Sequence, residues 1–279
     1  MNTEDNYKIV LITGCSSGIG LHCAKQLKDA GYRVFATARK QQDVEQLLAD
    51  GFESTQLDLS QSQSIQTALS FILQKTNGSI DILFNNGAYG QPGATEDLSR
   101  EVMREQFETN LFGTMELTNS VIAIMRKQGH GKIIHNSSVL GIISLAFRGA
   151  YNASKYALEG FADTQRLELY GSGISISLIE PGPILSKFRE NAHHKFVKNI
   201  DIKNSFYQQP YKKMLAHFSK QGAAVPFTLS AEAVYKKLLH AIEAKNPKAR
   251  YYVTFPTYLF GYLKRILSTK AMDWVLRKV

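Results

Sequence analysis

The stretch KIVLITGCSSGIGLHCAKQLKDAG, residues 8–31, limits what this chain can fold into more than any other part of it. Its IVLI is a continuous apolar run, which suits a strand covered on both faces, as strands are in a parallel sheet. That strand is predicted over Tyr7–Thr13. Gly14, Gly18 and Gly20 follow at once, and Ile19, Cys23, Ala24 and Leu27 then recur at helical spacing. Lys25, Lys28 and Asp29 fall on the opposite face until Gly31 ends the run. A strand that enters a helix through glycines leaves backbone N–H groups open at the helix start, where a pyrophosphate can approach. A bare tight turn would use the same glycines. The strand before them and the amphipathic helix after them favour phosphate binding.

The alternation of strand and helix continues. Arg33–Ala38 reads as a strand, STQLDLS as a strand ending at Asp58, and Ile65, Leu69 and Ile72 mark the next helix. Asp81–Phe84 is a fourth strand, NNGAYG a loop of small residues, and Ser99 starts a long helix through about Arg126 that carries Asn110. With 279 residues and 44% hydrophobic content, the expected fold is α/β. In detail it is a Rossmann-like, doubly wound parallel sheet with helices on both faces, in a single domain. The second strand ends in ATARK, where a dinucleotide's adenosine ribose would lie, and no acid stands there to accept from a 2′-hydroxyl. Arg39 and Lys40 suit a 2′-phosphate instead, so NADP is the expected cofactor.

From Lys132 to Gly160 the chain reads KIIHNSSVLGIISLAFRGAYNASKYALEG, again strand, loop and helix. Tyr151 and Lys155 are four residues apart and share a helical face, and Ser138 stands at the strand end, where α/β folds collect their chemistry. A lysine ammonium close by is expected to favour the phenolate of Tyr151, and a serine hydroxyl can share a carbonyl oxygen with it, which together describe a proton donor for carbonyl reduction. Taken alone, a Tyr and a Lys at this spacing are an ordinary helix pair.

Taken together, these residues resemble the classical short-chain dehydrogenase/reductase family over about Lys8 to Val253. The resemblance implies a glycine cradle of Gly14, Ser16, Ser17, Gly18, Ile19 and Gly20, adenine-side contacts from Asp58 and Leu59, and a catalytic set of Asn110, Ser138, Tyr151 and Lys155. It further implies cofactor contacts from Asn86, Gly87, Pro181, Gly182, Ile184 and Ser186, with Ile184 at the nicotinamide. Asn85, Asn86, Gly87 and Ala88 depart from the family's usual Asn-Asn-Ala-Gly, so a methyl group stands where glycine normally allows close approach. The chain looks most like NADP-dependent aldehyde reductases close to retinol and 17β-hydroxysteroid dehydrogenases, whose substrates are apolar carbonyls or alcohols. In that scheme Tyr151 protonates the carbonyl oxygen, Ser138 positions it, Lys155 binds ribose, and Asn110 holds a proton-relay water. A homo-oligomer is the family expectation. The alternative is a non-catalytic NADP(H)-binding, redox-sensing protein on the same fold.

Between Pro183 and Phe227 the alternation lapses and aromatics gather, among them Phe188, Phe196, Phe206, Tyr207, Tyr211 and Phe218. A substrate lid over 184–227 is expected, with an ordinary helical excursion as the alternative. Leu140, with Ile142 and Phe147, is a candidate for the substrate wall or for core. The domain is placed at 1–255 and an amphipathic, basic extension at 256–279. Pro256 interrupts the extension's apolar run, which is too short to span a bilayer, so packing or peripheral membrane contact is expected of it. The start MNTEDNYK is acidic and polar rather than a secretory signal, and the cytoplasm is the expected compartment. Cys15 and Cys23 are expected to be free thiols, and the histidines make no metal pattern. The net charge of +9 is scattered without a nucleic-acid motif, so no nucleic-acid partner is expected.

Overall fold

Seven parallel strands run through the computed structural model, which describes residues 7–218, 222 and 225–279. They are β1 (Ile9–Ile12), β2 (Arg33–Ala38), β3 (Glu53–Gln56), β4 (Ile82–Asn85), β5 (Gly131–Asn136), β6 (Ile174–Glu180) and β7 (Arg250–Tyr252). Their order across the sheet is β3-β2-β1-β4-β5-β6-β7. The winding direction therefore reverses between β1 and β4, which opens a crevice at the carboxyl ends of those strands.

Strand side chains alternate between two cores, as the pleat requires. Val10, Ile12, Val34, Ala36, Ile82 and Phe84 point to one face. There they meet α1 (Gly18–Asp29), α2 (Gln41–Ala49) and α9 (Glu232–Glu243). Leu11, Phe35, Leu83, Ile133 and Leu178 point to the other. That face is covered by α3 (Ser62–Lys75), α5 (Gly113–Gln128) and Ala162 of α6 (Gly149–Glu168). Because both faces are covered, the strands read as continuous apolar runs rather than alternating ones.

β3 ends at Gln56, two residues before the expected Asp58, and two further elements differ from expectation. β1 is shorter than Tyr7–Thr13, because the chain turns out of the strand at Gly14, whose φ is +72°. The helix expected from Ser99 to about Arg126 is not one α-helix. Ser99 does cap it, its side chain accepting from Val102 N at 3.3 Å. After α4 (Arg100–Phe107), however, a π-helical turn at Glu108–Phe112 precedes α5. Asn110 stands in that turn, and its side chain is taken up by the backbone of Tyr89.

The aromatic segment folds as α7 (Phe188–Asn199) and α8 (Gln208–Phe218), with a core of its own from Phe196, Tyr211, Met214 and Phe218 against Ala94. After β7 the tail forms α10 (Phe255–Ile266) and α11 (Thr269–Leu276). Phe260 and Met272 bury themselves on Ile143, in the loop between Ser138 and Tyr151. Among the described residues no helix is long and apolar enough to cross a membrane.

Candidate active site

The glycines at the β1–α1 turn are required by contact as well as by conformation. A Cβ on Gly14 would lie 2.8 Å from the Cα of Gly87, and one on Gly20 would lie 2.3 Å from the carbonyl oxygen of Gly14. Gly18, at φ +59°, faces Ser186, whose Cβ would be 3.1 Å from an added methyl. Ser17 precedes α1 without using its hydroxyl as a cap, and no acid occupies the first turn. The first N–H groups and the Ser17 hydroxyl are thus available to an anion, and the helix dipole favours one.

The NNGAYG loop is fastened to this cradle. Thr13 Oγ1 accepts from Asn86 N at 3.0 Å and Gly87 N at 2.8 Å, and the Asn86 amide donates to Thr13 O at 3.0 Å. Gly87 is the residue in close contact with Thr13 and Gly14, whereas Ala88 is outside the left-handed region. The exchanged Gly-Ala order therefore puts the small residue at the closest approach, and the methyl of Ala88 causes no backbone strain.

Across the crevice, β5 and α6 bring three side chains together. Ser138 leaves β5 in extended conformation and its Oγ accepts from Leu140 N at 3.1 Å. Tyr151 lies on the first turn of α6, buried, with Ser138 as a polar neighbour of its phenol. Lys155 lies one turn on, also buried, and donates to the carbonyl of Asn136 at 2.7 Å. Asn136 in turn donates to Asn86 Oδ1 at 3.0 Å, which links the cradle to the lysine.

Electrostatics here run against the expectation that Lys155 favours the phenolate. Burial pushes the Tyr151 phenol up to about 12, with the Ser138 hydrogen bond opposing it. Burial pushes Lys155 down to about 8, with Glu159 opposing. Loss of water outweighs the ammonium, which stands 5.7 Å from the centroid of the Tyr151 ring. The phenol is consequently a protonated donor at neutral pH.

Asn110 is brought to the same crevice, but its side chain accepts from Tyr89 N and donates to Tyr89 O and Ser154 Oγ. Its side chain therefore holds the loop beside Tyr151. Leu140 and Ile142 pack into the cluster that docks the tail, and Phe147 packs on Tyr207 and Tyr211. The ring against Tyr151 is Phe188, the first residue of α7, with centroids 5.3 Å apart. Phe188 also lies over Gly90, where a Cβ would be 2.8 Å from its ring. A groove of about 780 Å³ opens beyond the site, lined by Leu145, Phe147, Asn152, Tyr156, Tyr207 and Lys264 among others, and reaches neither Ser138 nor Tyr151.

The segment after β6 closes the crevice. Pro181 O accepts from Val139 N at 2.8 Å, and a Cβ on Gly182 would lie 2.1 Å from Thr254 Oγ1, so only glycine lets this segment meet the start of α10. Ile184 bridges to Leu229. On the adenosine side, Asp58 Oδ1 accepts from the N–H and hydroxyl of Ser60, Leu59 is buried, and Arg39 and Lys40 are exposed at the end of β2. These residues fit a dinucleotide. The open helix start would take the pyrophosphate, Asp58 has one oxygen left for an amine, and Arg39 and Lys40 stand exposed at the end of β2.

Sequence reading missed a network behind Lys155. Arg250 Nη2 meets Glu159 Oε2 at 3.0 Å and Asp163 Oδ2 at 2.8 Å, and its Nε meets Glu180 Oε1 at 3.1 Å. Glu180 is wholly buried, and burial and the Glu159 charge push it up to about 9. The signals were present. Glu159 extends the Tyr151–Lys155 face by one more turn, and Glu180 is the one acid in the strand ISISLIE. No group of His, Cys, Asp or Glu among the described residues is placed to hold a metal ion, and both cysteines are free and buried.

Known proteins resemble this chain over most of its length. A family model described as short chain dehydrogenase matches residues 8–196. The uncharacterized oxidoreductase YbbO of Escherichia coli strain K12 is 41% identical over 270 residues, covering 97% of this chain and 94% of that one. The 17-beta-hydroxysteroid dehydrogenase type 1 of Homo sapiens is 33% identical over 258 residues, covering 88% and 77%. Among solved structures, a single-residue variant of actinorhodin polyketide ketoreductase with NADPH superposes with a TM-score of 0.72 at 26% identity, covering 91% of this chain and 97% of that one.

Proposed function

The chain belongs to the short-chain dehydrogenase/reductase family, and from that membership we propose that it is an NADP(H)-dependent oxidoreductase interconverting an apolar aldehyde or ketone with its alcohol. The observation that carries the reading is the buried Tyr151 beside Ser138, on the same crevice as the glycine turn between β1 and α1, with Arg39 and Lys40 exposed at the end of β2. A steroid dehydrogenase among the relatives and the Phe188 ring beside the phenol support an apolar substrate.

NADPH, when bound, supplies the hydride to the carbonyl carbon. Ser138 donates to the carbonyl oxygen and orients it toward Tyr151, whose O–H gives up its proton as negative charge develops there. Lys155 has one N–H committed to Asn136 O and two left for ribose hydroxyls, and its positive charge steadies the phenolate formed in the step. Asn110 keeps the loop at Tyr89 in place, and Phe188 excludes water from the phenol. Reprotonation of Tyr151 from solvent completes the turnover.

The test is consumption of NADPH by the purified protein across a panel of aldehydes and ketones of increasing apolar length. Turnover that grows with apolar length and disappears in Tyr151→Phe supports the reading. NADPH binding without consumption across the panel would instead favour a redox-sensing protein.

A further inference from the structure

We infer that the outer face of α10 docks this protein on an anionic lipid surface. Phe255, Tyr258, Leu259, Tyr262 and Ile266 recur at helical spacing and are 55%, 39%, 40%, 57% and 78% exposed. The helix already has a buried side, formed by Thr257, Phe260 and Gly261. Its exposed side is therefore a second apolar face, which packing within the chain leaves in water. Phe227, 58% exposed at the end of the aromatic segment, widens the face by standing against Phe255 at a centroid distance of 4.9 Å.

Charge decides the occupant. From Phe255 to Val279 the basic residues are Lys264, Arg265, Lys270, Arg277 and Lys278, against Asp273 alone. All five are exposed, and the Lys278 ammonium lies 3.3 Å from the ring centroid of the exposed Trp274. A second copy of the chain would present the same cations to each other across a two-fold axis. An anionic headgroup layer instead neutralises them while the aromatic rings enter the acyl boundary. A helix of 12 residues is roughly 18 Å long, enough to lie on a bilayer and too short to cross it. The face adjoins the site, because α10 starts where Gly182 meets Thr254. The inference does not depend on the cofactor or the substrate.

The experiment is co-sedimentation of the full chain with phosphatidylglycerol vesicles and with phosphatidylcholine vesicles at low and high salt. The wild type is expected to pellet with phosphatidylglycerol and to be largely released by salt. A Tyr262→Glu/Ile266→Glu variant should bind more than tenfold more weakly. An Arg265→Gln/Lys270→Gln/Arg277→Gln variant should lose about 100-fold, at roughly fivefold per cation. NADPH oxidation in solution and the thermal midpoint should be unchanged in both; if the glutamates prevent folding, the glutamine variant decides. No pelleting of the wild type with phosphatidylglycerol overturns the inference, and so does equal binding by folded variants. A wild-type dimer that the glutamates split, with no vesicle binding by either protein, would assign the face to a second copy instead.

Discussion

At Tyr151 and Lys155 the governing quantity is the loss of water around two groups of opposite tendency. Burial raises the phenol and lowers the ammonium, so each moves toward its neutral form. Tyr151→Phe keeps the ring volume and removes the proton, and should lower reductive turnover by about 10²- to 10⁴-fold with the thermal midpoint and NADPH affinity retained. Lys155→Met should weaken both NADPH binding and rate, which fluorescence titration beside steady-state kinetics will separate from the first variant. Glu180 yields a different prediction. Its folded pKa lies above the ordinary 4.5, near 9. Stability from its protonated form is thus complete below about pH 4.5 and is lost as pH rises through about 9. Between about pH 6 and 8 the wild-type melting temperature should fall more steeply than that of Glu180→Gln. Parallel slopes in differential scanning calorimetry would show that the carboxyl is already ionised.

The turn from β2 to α2 carries the cofactor preference. A contact between Arg39 and a 2′-phosphate is a charge-assisted hydrogen bond worth about 1.5–3 kcal/mol, so Arg39→Ala should weaken NADPH roughly 10- to 150-fold and leave NADH nearly unchanged. Placing Asp at Ala38 in the same variant should invert the preference, because a carboxylate repels the phosphate and accepts from a free 2′-hydroxyl. The ratio of kcat/KM for NADPH to that for NADH is the measurement, and a wild type that prefers NADH refutes the assignment. Lys40 stands next to Arg39, so an unchanged ratio in the single variant calls for Lys40→Ala before the site is given up.

Over the whole molecule, the tail and the site are one packed body. Phe260 is 8% exposed and rests with Met272 on Ile143, in the loop that connects Ser138 to Tyr151. Phe260→Ala should cost about 3–5 kcal/mol of stability, read from urea unfolding, and should lower turnover by loosening that loop. Tyr262→Ala, on the exposed side of the same helix, should stay within about 0.5 kcal/mol. A Phe260→Ala protein as stable as the wild type would mean that the tail is an appendage after all.

The parallel sheet was legible because covered strands must be apolar throughout and amphipathic helices must repeat every 3.6 residues, and both rules act locally. The glycine cradle and the pairing of Tyr151 with Lys155 were legible for the same reason, since a turn and one helical face are properties of adjacent residues. Other features depended on residues distant in sequence. Glu108–Phe112 has ordinary helix-forming character, yet it forms a π-turn in which the Asn110 side chain bonds the backbone of Tyr89, 21 residues away. The order of the Tyr151 and Lys155 shifts depends on how much water α7 and β5 exclude, and the acid network needs Glu159, Glu180 and Arg250, which are 21 and 91 residues from the first of them. Sequence periodicity determined the layers of this protein; tertiary packing alone decided which polar groups are desolvated, because desolvation is set by neighbours that the chain brings in from afar.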